Sequence, residues 1–264
     1  MRNNAFIAGL VLLLFVLGSC KKDNTTATPK KFLVSKLTDS LTNFTIKFIY
    51  DSKNNLVTFD AGSTVFSFFY NEKNQIILRK SYNSGGLDGV DSFFYDSYNH
   101  ISRIHKWDAA MNYAGEVIFS YDDQLRMNGV TQIMNATVQN RILDFEYNGT
   151  QLSKISTYVY TGSSYKRNSE LEYFAYDSVA NPFNSIMRNY MADYTGQIYF
   201  FFDSYANNAK SVRQLNYDPA TGDLLSLTAI TLEYSYNSNK QISRLHSGSP
   251  GVSFLFHTEY IEAQ

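Results

Sequence analysis

The chain has 264 residues, with 23 basic and 24 acidic side chains, so its formal net charge is −1. Because the charges nearly cancel and the sequence has neither a basic face nor an acidic tail, nucleic acids and other polyanions are not expected as partners. The 21 Tyr and 20 Phe favour strands, and only four Pro are present to interrupt them, so the composition favours an all-β fold.

The N-terminal segment has the pattern of a secretory signal. Arg2 precedes an apolar run over residues 5–17, and small residues follow before Cys20. The run is shorter than the roughly 20 residues of a spanning helix, which favours a cleaved signal over a membrane-anchoring helix with an incidental cysteine. Leu17-Gly18-Ser19-Cys20 resembles the bacterial lipobox, and this resemblance implies cleavage before Cys20 and diacylation of Cys20. We therefore predict a lipoprotein signal peptide over residues 1–19 and a membrane anchor through the lipid on Cys20.

The rest of the chain divides into a short tether and one large domain. Residues 20–31 begin with the lipidated Cys20, are otherwise polar, and are expected to form a flexible tether. Residues 32–264 are expected to form a single β-meander repeat domain, because its repeats run on without an obvious linker. Cys20 is the only cysteine, so lipidation leaves none for a disulfide and the fold must depend on packing.

The segment Leu143–Ile155, LDFEYNGTQLSKI, shows the unit from which this domain is built. Its first half alternates apolar and polar residues, the period of a strand with one dry face and one wet face. Asn148-Gly149 tolerates positive φ, so the chain can reverse there, and Leu152 begins a return strand. The segment is therefore predicted to be a β-hairpin.

Variants of this hairpin recur along most of the chain. Each has a tyrosine, then Asp or Asn, then turn-prone residues, then usually Leu or Ile; the tyrosines are Tyr50, Tyr70, Tyr95, Tyr121, Tyr147, Tyr176, Tyr217 and Tyr236. The Asx side chain can nucleate the turn by bonding backbone two residues on, while we expect the tyrosine hydroxyl to stay near water. Return-strand residues at a spacing of three, such as Leu152 and Ile155, change face and predict a bulge or strong twist after each turn.

Repeated hairpins predict a long antiparallel meander of about sixteen to twenty strands. Because sheet twist accumulates and free edges aggregate, the meander should curl into a roll or a barrel. The Tyr-Asx, turn, Leu or Ile pattern resembles the YD repeat of RHS-type proteins. It resembles more closely uncharacterised repeat lipoproteins of Gram-negative bacteria that have a porin-like β-sheet fold. The Gly-Arg that usually precedes the Leu in the RHS form is replaced here, for example by Asn54-Asn55. The resemblance implies an outer-membrane lipoprotein, on the periplasmic side or the cell surface, and supplies no catalytic residues.

No motif of catalysis or metal binding is present in the sequence, which has no phosphate-binding loop, nucleophile elbow or His-Glu-x-x-His. The four histidines, His100, His105, His246 and His257, lack metal-ligand spacing, so neither a metal site nor a cofactor is predicted. The turn aspartates could be calcium ligands or catalytic carboxylates. Turn formation is favoured, because calcium loops need oxygen ligands at alternate positions and these turns place only one or two carboxylates each.

The candidate ligand-binding residues are Arg103, His105 and Trp107, which stand at alternate positions of one predicted strand and so share a face. They would form a polar aromatic patch. The alternative is an ordinary wet strand face, because isolated surface aromatics are common. A second candidate is a ladder of tyrosines on which sugar rings stack, although strand aromatics more often pair across a sheet to hold its register.

Three functions fit these observations. The first is a lipid-anchored binding or scaffold module whose ligand is a glycan or an envelope protein. The second is a glycan-acting hydrolase, which needs only two facing carboxylates. The third is an RHS-like shell that encloses something. Binding or structure is favoured over catalysis, because the sequence shows no nucleophile, base or metal constellation.

Overall fold

The computed structural model describes residues 31–135, 140–183, 207–249 and 252–264. The chain divides into residues 1–31 and residues 32–264, and every described strand belongs to the second unit. Cys20 and the predicted signal peptide lie outside the described residues. Within the described ranges no helix is long and apolar enough to cross a membrane.

The described residues form strands joined by turns. The strands are β1 (Phe32–Asp39), β2 (Phe44–Tyr50), β3 (Leu56–Ala61), β4 (Thr64–Tyr70), β5 (Ile76–Asn83), β6 (Gly86–Tyr95), β7 (Ile101–Asp108), β8 (Tyr113–Tyr121), β9 (Met127–Met134), β10 (Arg141–Asn148), β11 (Gln151–Tyr160), β12 (Tyr165–Ala180), β13 (Asn207–Tyr217), β14 (Leu224–Thr231), β15 (Glu233–Tyr236), β16 (Ile242–Ser249) and β17 (Val252–Glu262).

These 17 strands form one nearly closed antiparallel barrel. Each strand from β1 to β13 pairs with the next one along the chain, and β17 returns to pair with β1, where Phe32 faces Glu262. Only Leu232 separates β14 from β15, and these two strands have different partners: β14 pairs with β13, and β15 pairs with β16. The seam of the barrel therefore lies where β14 passes into β15. The predicted all-β meander, its barrel form and its strand number are confirmed.

The hairpin turns alternate between the two ends of the barrel, because successive strands run in opposite directions. We call one end the Tyr-Asx end, since it holds the turns after Tyr50, Tyr70, Tyr95, Tyr121, Tyr147 and Tyr236. The turn after Tyr217 joins β13 to β14 and therefore lies at the opposite end.

The turns at the Tyr-Asx end are built by the Asx side chain. Asp51 Oδ1 accepts hydrogen bonds from the backbone N–H of Lys53 and of Asn55, both at 2.9 Å. Asn54 takes the left-handed conformation, with φ +65°. The same pair of bonds recurs at Asn71, Asp96, Asp122 and Asn237. The predicted role of the Asx side chain is confirmed at these turns.

Each of these turns is followed by a bulge, as the spacing of three predicts. Tyr50 faces Leu56 while Ile49 faces Thr58, so Val57 is an extra residue on the return strand. The register shifts in the same way beside the tyrosines of the other turns at the Tyr-Asx end. The extra residue moves the apolar side chains of the return strand back to one face.

The tyrosine hydroxyls have protein partners that the sequence pattern did not predict. The Tyr70 hydroxyl donates to the backbone carbonyl of Leu56 at 2.6 Å, and Leu56 begins the return strand of the preceding hairpin. The same bond to the preceding return strand is made by Tyr95, Tyr121, Tyr147 and Tyr176, and also by Tyr234 and Tyr260. The rings are half-buried against the core. Each hydroxyl therefore joins two adjacent hairpins.

One predicted turn is not a simple chain reversal. Tyr176 and Asp177 lie within β12, which continues to Ala180. Asp177 Oδ1 still accepts from the N–H two residues on, at Val179. Its second donor is the N–H of Asn208, 31 positions along the chain, where the other turns use a residue four positions along. The hairpin motif is thus preserved around an inserted segment, and only the place of the reversal was predicted wrongly.

The buried face of the barrel wall carries one hydrophobic core to which almost every strand contributes. Arg79 also lies on this face, 2% exposed, with its guanidinium over the rings of Phe66 and Phe93. Its Nε donates to Asp91 Oδ2 at 2.8 Å, and Lys106 Nζ lies 3.5 Å from the other oxygen of the same carboxylate. The buried charges of Arg79 and Asp91 are therefore paired with each other, as burial requires.

Candidate functional site

Arg103, His105 and Trp107 lie together on the outward face of β7. Ile104 is fully buried and Lys106 lies beside the buried Asp91. Arg103, His105 and Trp107 alternate with these two residues along the strand and therefore project outward. The sharing of one face is thus as predicted, while ligand binding by these three residues stays a prediction.

Neighbouring strands add aromatic rings to the three predicted residues. Tyr113 on β8 pairs with Trp107 in register, and the two rings meet edge to face with centroids 5.5 Å apart. His105 lies 4.6 Å from the ring of Phe94 on β6 and 5.7 Å from Tyr113. Phe94 and Tyr113 are 44% and 41% exposed. We call Phe94, Arg103, His105, Trp107, Tyr113 and Glu116 the outer aromatic patch.

One carboxylate provides the negative charge of the patch. Glu116 Oε2 lies 3.2 Å from Arg103 Nη1 and 3.6 Å from His105 Nε2. Burial raises the pKa of Tyr113, the charge of Glu116 raises it further, and Arg103 partly opposes both. Tyr113 therefore keeps its proton near neutral pH and can act as a hydrogen-bond donor.

The position of Trp107 has a local cause that the sequence analysis missed. Asp108 caps a turn of the same type, because its Oδ1 accepts the N–H of Asn112 at 2.8 Å and Met111 has φ +65°. Trp107 thus stands where the other turns have tyrosine. This turn joins β7 to β8 at the opposite end of the barrel, and there the aromatic residue before the turn faces outward instead of inward. The signal was Trp-Asp followed four residues later by Asn.

The patch has the chemistry of a stacking surface with polar edges. The edge-to-face rings of Trp107 and Tyr113 and the ring of Phe94 offer apolar faces, while Arg103 and Glu116 offer a donor and an acceptor beside them. Phe94, Tyr113 and Glu116 could not be found from sequence, because they join the patch through cross-strand register.

Two buried aspartates of the described structure are held by neighbouring residues. Asp39 accepts hydrogen bonds from the Thr42 hydroxyl and the backbone N–H of Leu255, while Asp91 is paired with Arg79. Among the described residues, no group of three His, Cys, Asp or Glu side chains could hold a metal ion.

Comparison with known proteins places the fold. No protein-family model and no curated protein matches the chain. The chain is similar to a porin-like protein from Bacteroides uniformis, with a TM-score of 0.57, 12% identity and coverage of 89% of this chain and 98% of that one. At this identity the likeness shows the fold alone.

Two further structures are more distant. A porin-like protein from Bacteroides vulgatus gives a TM-score of 0.47 at 11% identity, over 87% of this chain and 99% of that one. The TcdB2–TccC3 complex gives 0.33 at 13% identity, over 83% of this chain and 14% of that one. Neither carries an argument about this chain.

Proposed function

We propose that the chain is a lipid-anchored cell-envelope lipoprotein of the YD-repeat type that binds a glycan through the outer aromatic patch. The observation that carries this proposal is the cluster formed by the exposed rings of Phe94 and Tyr113 and the half-buried ring of Trp107, beside the Arg103–Glu116 ion pair. Aromatic rings flanked by donors and acceptors suit a sugar, which has an apolar face and a polar rim. Location at the outer membrane is part of the same proposal.

The fold gives the patch a favourable position for this role. Phe32, where the predicted tether joins the barrel, begins β1 at the Tyr-Asx end, whereas Trp107 lies beside a turn at the opposite end. The patch therefore lies at the end of the barrel opposite to the first residue of β1.

Two exposed phenylalanines provide a matched test. The full-length chain in detergent is screened against an array of envelope and plant glycans, and affinities are measured by calorimetry. Phe94→Ala and Trp107→Ala are expected to weaken binding about tenfold or more, as loss of an aromatic anchor does. Phe174 is also 44% exposed on a strand, and Phe174→Ala should leave the affinity unchanged. Equal losses at Phe94 and Phe174, or no bound glycan at all, contradict the proposal. Capture of an envelope protein alone would replace the glycan with a protein ligand.

A further inference from the structure

The strand β14 has one edge to which no described strand is paired. On the other edge it pairs with β13 along its whole length. After β14 the chain continues into β15, which pairs with β16, where Glu233 faces His246. Extending this antiparallel register places Ser249, the last residue of β16, opposite Ile230. Residues 224–229 therefore extend past the end of β16, and we call them the open edge of β14.

The side chains of the open edge lie in water on both faces of the strand. Leu224, Leu225 and Leu227 are each more than half exposed. Ile230, the next core residue along the strand, is fully buried. Residues 224–227 are consecutive and all exposed, and successive side chains of a strand point to opposite faces. The first part of β14 therefore projects beyond the barrel core with three leucines uncovered.

The sequence of β14 lacks the side chains that usually protect such an edge. An edge strand offers backbone N–H and C=O groups to another strand, and proteins commonly block this with charged residues or proline. The eight residues of β14, LLSLTAIT, include neither. The register shift beside Tyr217 makes Leu225 an extra residue next to the turn, while residues 226–229 keep regular pairing with β13. The open edge is therefore suited to pairing with a further strand.

The strand that suits this edge is the same strand of a second copy. Residues 224–229 carry no charge, so two copies in antiparallel register bring no like charges opposite each other. Each copy covers the leucines that the other leaves exposed. An antiparallel pair of identical strands has two-fold symmetry, so the contact closes at two molecules and leaves neither edge open.

We propose that the protein forms a two-fold symmetric dimer in which residues 224–229 of the two copies pair antiparallel, so that the sheet continues from one molecule into the other. The contact is much smaller than a standard interface, which has about 20–30 residues a side, so we expect a dissociation constant in the micromolar range. The inference does not rest on glycan binding, because the outer aromatic patch lies on β6, β7 and β8.

The test follows the natural full-length chain in density-matched detergent from about 1 to about 200 µM, a range that brackets a micromolar dissociation constant. Sedimentation equilibrium should show the protein mass doubling across this range. Hydrogen exchange read by mass spectrometry should slow in residues 224–229 over the same range, because edge amides gain partners. A mass that stays at one chain overturns the proposal. If exchange there is already slow at the lowest concentration, the edge is covered within one chain, which also overturns it.

Two substitutions locate the contact. The double variant Leu225→Lys, Leu227→Lys places charges on the open edge, where two-fold symmetry brings them close together, and should weaken dimerisation about tenfold or more. Ile49→Lys is the matched control, because Ile49 is half exposed on β2, which pairs with both β1 and β3. It should dimerise as the natural chain does. A dimer that persists in the double variant, or that forms without slower exchange in residues 224–229, overturns the assignment to this edge.

Discussion

Each tyrosine that precedes a turn at the Tyr-Asx end acts on a hairpin other than its own. The hydroxyl of Tyr70 reaches the carbonyl of Leu56, and that of Tyr121 reaches the carbonyl of Ile101 at 2.8 Å. Sequence could not predict these bonds, because the acceptor is a backbone carbonyl, which every residue has. The recurrence of tyrosine in place of phenylalanine was the available signal, since ring packing alone does not require a hydroxyl.

Removing one such hydroxyl should destabilise the barrel measurably. Tyr70→Phe leaves the ring and removes the donor to Leu56, so the free energy of unfolding should fall by about 1 kcal/mol, measured by urea denaturation. Tyr98 is 67% exposed, and Tyr98→Phe should change the value by less than about 0.5 kcal/mol. Equal effects of the two substitutions would show that the hydrogen bond from Tyr70 to Leu56 does not add to the free energy of unfolding.

The outer aromatic patch was predictable only for the residues that lie on a single strand. The period of two along β7 placed Arg103, His105 and Trp107 on one face, because alternation is a property of a single strand. Tyr113 and Glu116 reach the patch through the pairing of β7 with β8, where Trp107 faces Tyr113 and His105 faces Glu116. That register depends on the length and bulge of the intervening turn, which the sequence pattern did not specify.

At the scale of elements, the turns with aspartate and the turns with asparagine share one geometry but differ in charge. Burial opposes ionisation of Asp51 and of Asp96, but hydrogen bonds from the turn outweigh it and lower the pKa of each carboxyl. At Asp122 the bond from the Arg126 side chain is the main cause of a lowered pKa, followed by the bond from its backbone. Asn71 and Asn237 make the same backbone bonds without a charge.

These shifts predict acid sensitivity with a defined sign. A carboxyl whose pKa is lowered on folding stabilises the fold above its unfolded pKa of about 3.9, and this stability is lost as the pH falls through the folded value. The urea midpoint of the natural chain should therefore drop between pH 7 and pH 3. The triple variant Asp51→Asn, Asp96→Asn, Asp122→Asn should show a smaller drop, since Asn suits the same turn. Asp144, whose pKa is raised by burial and by Glu146, is unchanged in both proteins and cancels in the comparison.

The turn around Asp177 shows where element prediction failed. The Tyr-Asx pair correctly marked a capped turn, but the second donor is Asn208, far along the chain. Asn208 Nδ2 also donates to Asp177 Oδ2 at 3.1 Å, as the Asn55 side chain does to Asp51. A local sequence pattern predicts that Asp177 caps a turn. It cannot predict that the second donor follows an inserted segment, because Asn208 is close to Asp177 in the fold and distant in the sequence.

At the scale of the whole molecule, the repeated hairpins predicted a curled sheet. The closure of the barrel depends on the pairing of its first and last strands. β1 and β17 pair along their length, and Asn54 Nδ2 donates to the backbone carbonyl of Gln264 at 2.9 Å. The seam at β14 and β15 leaves Leu225 and Leu227 66% and 53% exposed. No periodic pattern in the sequence distinguishes β14 from its neighbours. The sequence therefore predicted neither the pairing that closes the barrel nor the position of the seam.

The proposed lipid anchor is tested on the whole chain. Expressed in a Gram-negative host and labelled with palmitate, the natural protein should carry label, and Cys20→Ser should carry none, because Cys20 is the only thiol available. Ser19→Ala keeps a small residue before the cysteine and should still be labelled. Label in the Cys20→Ser protein, or none in the natural one, would remove the anchor from the proposal.

Trp107 is the only tryptophan of the chain, and it lies in the outer aromatic patch against Tyr113. Excitation of indole therefore reports on one place in the molecule, without background from any other tryptophan. A glycan seated on the patch should shift or quench this emission, whereas a ligand bound far from β7 should leave the spectrum unchanged. The natural protein thus carries its own fluorophore, which can test binding at the patch before any residue is altered.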